Sequence, residues 1–449
     1  MSRERFAACE PDAEPFARVN PAVSTGTTTY SAVPTVASSR VEEMGGRTGD
    51  AGYRREYGLV VVGALSYTCL LFVWFSLPAY LPVIIDDVGL SSTEAGILAG
   101  AVPLTYIPLA LFSGIAVDRI GPGRSLAAGV LIYGVAQIAR SAAPGFPSLL
   151  ATTLLLGVGA TAITFGLPKL VGVLFPPTKT GRPSAIYLIG SSAGSALVFA
   201  VGRPVIGPWL GGWRELFFWS GVVSVAYGLV WLAVAHRERI DDRLDGDDGF
   251  SLESIVDDLR LVLSHRELQL VVVIGTMYLL LNHGLQGWLP TLLEDRGLSA
   301  GLAGQATSLL IGAYVVGVLT VPEVADRYEV RRPVLMGCGA VAFLGVGGII
   351  AGGTGALVVA GIVVTGFGVG GVSPLVRAIP PDLEGIGARL TGTAVGFIFA
   401  VGEIGGFFGP MLIGVSHDAT GSFAPGLALL AVGALVVVLA GWGLQRLAD

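Results

Sequence analysis

The sequence is poor in charged residues and in cysteine, and each shortage excludes a class of protein. Only 13% of its 449 residues are charged and 53% are hydrophobic, whereas a soluble globular chain has about 25% charged residues. This surplus of apolar side chains needs lipid to cover it, which excludes a soluble protein. The three cysteines, Cys9, Cys69 and Cys338, are too few and too scattered for a disulfide or zinc framework.

The chain also lacks the motifs of catalysis and of nucleotide binding. A Walker-type phosphate loop is missing, so ATP does not drive the protein directly. Neither a cluster of metal ligands nor a nucleophile constellation is present in the sequence. We therefore expect no enzymatic activity, no cofactor, no bound metal and no nucleic-acid partner.

What the sequence does contain is a series of apolar blocks of about 20 residues, the length that an α-helix needs to cross a hydrocarbon core of roughly 30 Å. The alternating strand pattern of a membrane barrel is missing. The blocks predict an all-α integral membrane protein with twelve transmembrane helices and both termini on one side. They run from 58 to 84, 95 to 116, 125 to 143, 148 to 174, 183 to 206, 215 to 236, 268 to 293, 302 to 323, 333 to 351, 356 to 378, 391 to 415 and 425 to 446.

Arginine and lysine are divided unequally between the loops on the two sides of the predicted membrane. Almost all of them lie on the side of the N-terminus, and the opposite loops hold only Arg214 and Arg296. Because short cytoplasmic loops are enriched in Lys and Arg, we expect a plasma-membrane protein whose termini and middle loop are cytoplasmic.

The two halves of the chain are related by an internal repeat. Residues 81 to 96 recur in similar form as residues 289 to 304, and the same offset of 208 residues (289 minus 81) relates Asp118 and Arg119 to a second Asp-Arg pair. One constant offset through a helix end, a loop and a whole helix indicates a tandem duplication. Each half then has six helices, so the copies are parallel in the membrane. Transporters with such halves bind their substrate near the midplane between them.

These features divide the chain into four parts. Residues 1 to 56 lack an apolar run and predict a disordered cytoplasmic tail. Two six-helix bundles, 57 to 236 and 268 to 449, flank a polar cytoplasmic linker, 237 to 267. Within the linker, apolar residues near helical spacing between positions 252 and 263 predict an amphipathic helix along the membrane surface.

The predicted loop between helices 2 and 3 carries a motif. Residues 114 to 124 read Gly-Ile-Ala-Val-Asp-Arg-Ile-Gly-Pro-Gly-Arg, and residues 322 to 332 hold a weaker copy that begins with Pro322. The first copy resembles the loop G-x-x-x-D-R-x-G-R-[RK] of the major facilitator superfamily, and the likeness covers about residues 57 to 447. It implies two rocking halves and a latch that joins their cytoplasmic faces when the cavity opens outward. The latch residues so implied are Gly114, Asp118, Arg119, Gly121, Arg124, Asp326 and Arg327. The alternative is that these are only topology charges.

Glu403 is the only acidic residue deep within any of the predicted spans. A charge at the bilayer centre costs about 2.5 to 3.5 kcal/mol on insertion scales, so such an exception points to function. Burial favours the neutral form of a carboxyl group and makes its protonation switchable, so Glu403 is a candidate for carrying a coupling proton. A permanently protonated Glu403 that bonds to a neighbouring helix is the structural alternative.

Candidates for contact with substrate lie in four predicted helices. In helix 7, Gln286 shares a helix face with both Asn282 and His283, so these residues can point a polar edge into a cavity. His283 can bind an anion or take up a proton near neutral pH, although intramembrane polar residues also join helices. The remaining candidates are Tyr67 in helix 1, Arg140 in helix 3 and Arg203 in helix 5.

Together these features predict a secondary active transporter of a small organic or inorganic anion, with Glu403 as the candidate for proton coupling. The intramembrane basic residues favour an anion, although basic chains near helix ends often snorkel to the interface. In general appearance the chain resembles cyanate- and nitrate-permease-like members of the superfamily. We expect a monomer whose partners are its solute and the lipid bilayer. The alternatives are an exporter of hydrophobic compounds and a membrane sensor without transport.

Overall fold

The computed structural model describes residues 50 to 243, 264 to 383 and 386 to 448, and the regular secondary structure of these residues is helical, with no strand among them. Most of the predicted N-terminal tail and the predicted amphipathic helix of the linker lie outside the described residues. The described part contains twelve long helices, which we number α1 to α12. They are Arg54–Val88, Ser92–Ile120, Pro122–Ser141, Phe146–Leu174, Gly181–Leu210, Trp213–Arg237, Arg266–Asp295, Ala300–Arg327, Arg331–Ala351, Ala356–Ala378, Gly387–Thr420 and Ala424–Ala448.

Eleven of these twelve helices in the described ranges are long and apolar enough to cross a membrane. The other is α3, whose 20 residues include Gln137 and Arg140. Several helices exceed their predicted spans: α1 has 35 residues, whereas about 20 suffice to cross the hydrocarbon core. Backbone hydrogen bonds continue the helix beyond the apolar block, so hydropathy locates a span better than it locates helix ends. The predicted all-helical membrane architecture is confirmed.

The internal repeat marks the places where one helix ends and the next begins. Gly89 and Gly297 follow α1 and α7 with φ of 73° and 91°, a left-handed region that a Cβ atom disfavours. Two residues later, the hydroxyl of Ser91 caps α2 by accepting a hydrogen bond from the N–H of Glu94, and Ser299 caps α8 by the same kind of bond. In both halves, the repeated glycine and serine therefore mark the same boundary between the first and second helices.

Helix packing repeats from one half to the other. In the first half α1 packs on α5, α2 on α4 and α3 on α6, and in the second half α7 packs on α11, α8 on α10 and α9 on α12. The halves meet along α1 with α7, α2 with α11 and α5 with α8. The repeat relates α2 to α8 and α5 to α11, so the contact of α2 with α11 corresponds to the contact of α8 with α5. The chain thus forms two parallel six-helix bundles related by a pseudo-twofold axis between them.

The halves are tightly packed at the distal face, which we define as the face opposite the terminal face, where α1 begins and α12 ends. A Cβ on Gly96 of α2 would lie 2.6 Å from the carbonyl oxygen of Pro410 of α11. A Cβ on Gly304 of α8 would lie 2.2 Å from the carbonyl oxygen of Phe199 of α5. These two glycines correspond to each other in the repeat. Both interfaces therefore depend on a glycine at this position, where any side chain would collide with the opposite helix.

Toward the terminal face the halves separate. A Cβ added to Gly114 of α2 or to Gly392 and Gly396 of α11 would meet no neighbouring atom of the described residues within 4 Å. The helices that touch at the distal face therefore diverge along their length. The space between the bundles is closed at the distal face and open toward the terminal face.

Candidate functional site

A central cavity of about 380 Å³ lies between the two halves. Its walls come from α1, α2, α4 and α5 of the first half and from α7, α8, α10 and α11 of the second. This volume falls within the range of roughly 300 to 1,000 Å³ that is common for small-ligand sites. Five of the residues proposed from the sequence line the cavity: Tyr67, Asn282, His283, Gln286 and Glu403.

Glu403 of α11 faces His283 of α7. The Oε2 atom of Glu403 lies 3.7 Å from Nε2 of His283, and both side chains are largely buried. Among the described residues, this Oε2 has no hydrogen-bond partner. Gly406 makes room for the pair, since a Cβ there would lie 2.5 Å from Oε2 of Glu403. A buried carboxyl oxygen without a donor is costly when ionised, so this position can bind and release a proton in response to its surroundings.

His283 also contacts the first half of the molecule. Its ring stacks on Trp74 of α1, with ring centroids 5.5 Å apart and an interplanar angle of 8°. Trp74 in turn lies 6.1 Å from the ring of Tyr106 on α2. The stack crosses the interface that has to separate if the distal face opens. A change of charge at Glu403 and His283 therefore acts directly on the contact between the halves.

The remaining polar residues of α7 are paired with neighbours. Nε2 of Gln286 donates to Oδ1 of Asn282 over 2.8 Å, which shows that the two side chains share a helix face. One turn earlier, the hydroxyls of Tyr278 and Tyr314 are 2.8 Å apart. These contacts give the cavity a wall of amide and phenol groups, which can form hydrogen bonds with a solute.

Arg377 also lines the cavity, although its place at the end of a predicted span is typical of a loop charge. It lies near the end of α10 at the terminal face, and side chains tilt toward the N-terminus of their helix. Its Nη1 accordingly donates to the carbonyl oxygen and to Oγ of Ser373 over 2.9 and 2.7 Å. Its guanidinium carbon is 4.1 Å from the ring centroid of Phe399. Two features of the sequence point to this placement. Ser373 lies one helical turn before Arg377, and the chain direction of α10 tilts the Arg377 side chain back toward the membrane interior.

The described residues provide no carboxylate that pairs with Arg377. Tyr67 and Tyr278, which are carried by two other helices, line the same cavity. Among the described residues that line it, the cavity thus presents one arginine together with several aromatic rings.

Arg140 and Arg203, which the sequence analysis proposed as substrate contacts, do not line the cavity. Arg140 is fully buried in the first half, donates to Oε1 of Gln137 over 3.1 Å and lies 4.9 Å from the ring centroid of Phe217. Arg203 is near the distal face, where its Nη2 donates to both carboxylate oxygens of Glu294 over 3.0 and 2.8 Å. Depth along a helix can be estimated from sequence, but the direction in which a helix faces is decided by packing.

The predicted latch residues of both Asp-Arg pairs make contacts within their own halves. Asp118 pairs with Lys169 of α4 over 2.7 Å, and Asp326 pairs with Nε of Arg331 over 2.8 Å. Arg327 lies 5.9 Å from the ring of its neighbour Tyr328, and Arg119 is exposed. Because the halves are apart at the terminal face, this conformation does not test the latch, which remains a prediction.

Residues 121 to 124 of the motif contact the start of the linker at Asp241. The carboxylate of Asp241 accepts hydrogen bonds from the N–H groups of Gly123 and Arg124 over 2.7 and 3.2 Å. Burial raises the pKa of this carboxyl group, and the two hydrogen bonds oppose that shift. Gly121 has φ of 90°, and a Cβ there would lie 2.3 Å from Oδ1 of Asp241. The glycine is thus required both for the turn and for the approach of the linker.

Two six-helix bundles around a central cavity that is closed at one face and open at the other define a membrane transport protein of the alternating-access kind. The chain matches the family model of the Major Facilitator Superfamily over residues 63 to 410, so it belongs to this superfamily. The resemblance stated from the loop motif is confirmed, and the protein is a transporter and not an enzyme.

Three comparisons illustrate the relationship. The chain is similar to the hexuronate transporter of Bacillus subtilis (strain 168), with 24% identity over 376 residues that cover 79% of this chain and 86% of the relative. It is also similar to the 3-(3-hydroxy-phenyl)propionate transporter of Escherichia coli (strain K12), with 31% identity over 334 residues that cover 72% and 78%. Its fold is similar to the inward-facing, occupied crystal structure of a bacterial homolog of the human lysosomal transporter Spinster. The TM-score is 0.71, with 16% identity over 89% of this chain and 98% of that one.

Proposed function

We propose that the protein transports a small organic anion together with a proton. The observation that carries this proposal is the pair of charged groups in the central cavity. Arg377 has no carboxylate partner among the described residues, and the Oε2 atom of Glu403 has no hydrogen-bond donor there. The first group can bind an anion, and the second can bind a proton.

The substrates in the names of the relatives support an organic anion. Hexuronate and 3-(3-hydroxyphenyl)propionate, the substrates named for the two relatives, are both carboxylates. A guanidinium group binds a carboxylate through two parallel hydrogen bonds. Among the described residues that line the cavity, Arg377 is the only cationic side chain apart from the titratable His283.

The conformation and the loop charges support a proposal for the orientation of the protein in its membrane. In our proposal it acts as a monomer in the plasma membrane with cytoplasmic termini, so the cavity faces the cytoplasm in this structure. The basic loops at the terminal face support that orientation. A cysteine placed at Asp242, in a variant without the three native cysteines, should react with an impermeant maleimide only when the reagent reaches the cytoplasmic side. Labelling from outside intact cells would reverse the orientation.

Uptake by proteoliposomes tests the transport function. A panel of organic and inorganic anions should be offered with and without an inward proton gradient, with protein-free liposomes as the control for passive permeation. We expect at least one organic anion to accumulate above its equilibrium level when the external medium is more acidic, and not when the gradient is collapsed. Accumulation of no anion would overturn the proposal, and movement of hydrophobic cations alone would favour the exporter alternative.

A further inference from the structure

We propose that Arg377 and Glu403 together set the stoichiometry and the substrate class. One proton moves with one monocarboxylate that has a small aromatic body, and no net charge crosses the membrane. This inference rests on the proposed function and deepens it, because it names the class of anion and the number of protons that accompany it.

Arg377 and Glu403 both line the cavity, and Phe399 of α11 relates their positions. The guanidinium of Arg377 is 4.1 Å from the ring centroid of Phe399 on α11. Glu403 is four residues further along α11 and so occupies the same helix face, about 6 Å away along the axis. A carboxylate bound to Arg377 can therefore extend along this face of α11 toward Glu403.

Among the described residues, few other groups near Glu403 can change the charge of the cavity. His283 of α7 is its nearest titratable neighbour, and Tyr67 of α1 and Tyr106 of α2 interact with it electrostatically. Arg377 of α10 and Tyr67 line the same cavity. With the two tyrosines and the stacked His283 neutral, Arg377 contributes one positive charge, and Glu403 contributes one negative charge or none.

Four combinations of proton and substrate follow from this count, and two of them are neutral. The empty cavity is neutral when Glu403 is ionised, because its charge balances that of Arg377. The cavity loaded with a monoanion is neutral when Glu403 is protonated. Protonation without substrate leaves one positive charge, and substrate without protonation leaves one negative charge.

Closure of the cavity selects the neutral combinations. When both faces are closed, the water that solvates the cavity is largely excluded, and an unbalanced charge in a low-dielectric interior costs free energy. The two neutral states therefore change sides fastest. The proton enters Glu403 from bulk water on the side where the anion binds, and it returns to bulk water on the side where the anion leaves. A dicarboxylate would leave one negative charge even with Glu403 protonated, so it is disfavoured.

The surroundings of Arg377 suit a flat apolar body. The ring of Phe399 lies 4.1 Å from its guanidinium carbon, and the rings of Tyr67 and Tyr278 line the same cavity. Aromatic rings favour offset-stacked or edge-to-face contact with another ring. A carboxylate held by the guanidinium and an aromatic group held among these rings therefore satisfy both features of the cavity.

The direct experiment measures charge movement during uptake. Wild-type proteoliposomes receive 3-phenylpropionate at a fixed inward proton gradient, while potassium and valinomycin impose a membrane potential of either sign; protein-free liposomes give the passive rate. We expect the same initial rate at both polarities and one proton taken up per anion. Phthalate, a dicarboxylate, should neither accumulate nor compete. A rate that follows the potential, a different ratio, or equal transport of phthalate would overturn the inference and leave the proposed function standing.

Variants of Arg377 test the binding role. Arg377→Gln should weaken binding of 3-phenylpropionate at least tenfold, roughly the loss of one charged hydrogen bond, and should leave binding of the uncharged 3-phenylpropionamide unchanged. The amide also verifies that the variant is folded. Arg446→Gln is the matched control, since Arg446 stacks on Trp442 over 3.7 Å at the end of α12, outside the cavity wall. Equal effects of the two substitutions would overturn the inference. Failure of the wild type to accumulate any acid would overturn the proposed function itself.

Discussion

Glu403 owes its setting to the glycines of its own helix. Gly405 lets α11 approach α7, since a Cβ there would lie 2.1 Å from the carbonyl oxygen of Thr276, and Gly406 leaves space for the carboxyl group. The carboxyl group is thereby held against His283 without a strong donor. Such a group is neutral at little cost and ionised only when another charge compensates it.

Glu403→Gln mimics the protonated acid and should therefore preserve folding. Because the amide cannot release a proton, we expect accumulation driven by a pH gradient to be abolished, while exchange of labelled for unlabelled substrate continues. Both are measured in the same proteoliposomes. If pH-driven accumulation is unchanged, Glu403 only joins helices, and the coupling role passes to His283.

Gly406→Ala tests whether the space around the pair matters. The added Cβ would lie 2.5 Å from Oε2 of Glu403 and 3.0 Å from Cδ2 of His283, so the pair has to move. We expect pH-driven uptake to fall severalfold with little loss of folded protein. Gly392→Ala, on the same helix but with no neighbouring atom of the described residues within 4 Å, is the control. Equal activity of both variants would show that the exact placement of the pair is unimportant.

At the scale of helices, α5 departs from regular geometry where it meets the second half. Residues Val198–Ile206 form a π-helical segment that includes Arg203 and Pro204. Such widened turns inside α-helices are frequently found at functional sites. Here the segment packs against α8 and brings Arg203 to Glu294 of α7. The pair joins the two halves at the distal face, next to the interface around Gly304.

Arg203→Gln should favour conformations that are open at the distal face. The lost charged hydrogen bonds are worth about 1.5 to 3 kcal/mol, which corresponds to a shift of roughly tenfold or more in the equilibrium. A cysteine at the buried position Ala303, in a background without the native cysteines, should then react faster with an impermeant maleimide added at the distal face.

The matched control for this experiment is Arg214→Gln. Arg214 pairs with Asp87 over 3.2 Å near the same face, but both residues belong to the first half. Its removal should leave the labelling rate of the cysteine at 303 unchanged. If Arg203→Gln and Arg214→Gln label alike, the pair between α5 and α7 does not hold the distal face closed.

At the scale of the whole molecule, transport requires the halves to close at the terminal face and to open at the distal face. In the present conformation Asp118 pairs with Lys169 of its own half, and both side chains are partly exposed. The pair is therefore accessible to a partner from the second half when the terminal face closes. A latch of this kind stabilises one conformation and does not touch the solute.

Asp118→Asn should consequently slow transport far more than it lowers expression or substrate binding. Initial uptake rates, membrane yield and equilibrium binding provide the three measurements. The repeat-related change Asp326→Asn should be milder, because Pro322 interrupts the motif in the second half. Normal transport by Asp118→Asn would show that the role implied by the family motif does not apply to this chain.

Several features follow from local properties of the chain and were accessible from its sequence alone. Apolar runs of sufficient length predict membrane helices, because each run has to be covered by lipid or by another helix. The repeat predicted parallel halves, and its Gly and Ser positions coincide with the helix boundaries at Gly89 and Gly297. Glu403 stood out because a carboxyl group is costly in an apolar span. Asn282 and Gln286 shared a face by helical spacing.

Other features depend on contacts between distant residues, and only the tertiary structure decided them. Arg140 and Arg203 are intramembrane cations by sequence, yet packing turns one into the first bundle and the other toward Glu294. Arg377 stands at the end of a predicted span, but sequence shows neither which side of α10 faces the cavity nor the ring of Phe399 beside it. The sequence also does not show which face of the central cavity is closed. Helix rotation and tilt are set by side-chain packing between helices, which no single span encodes.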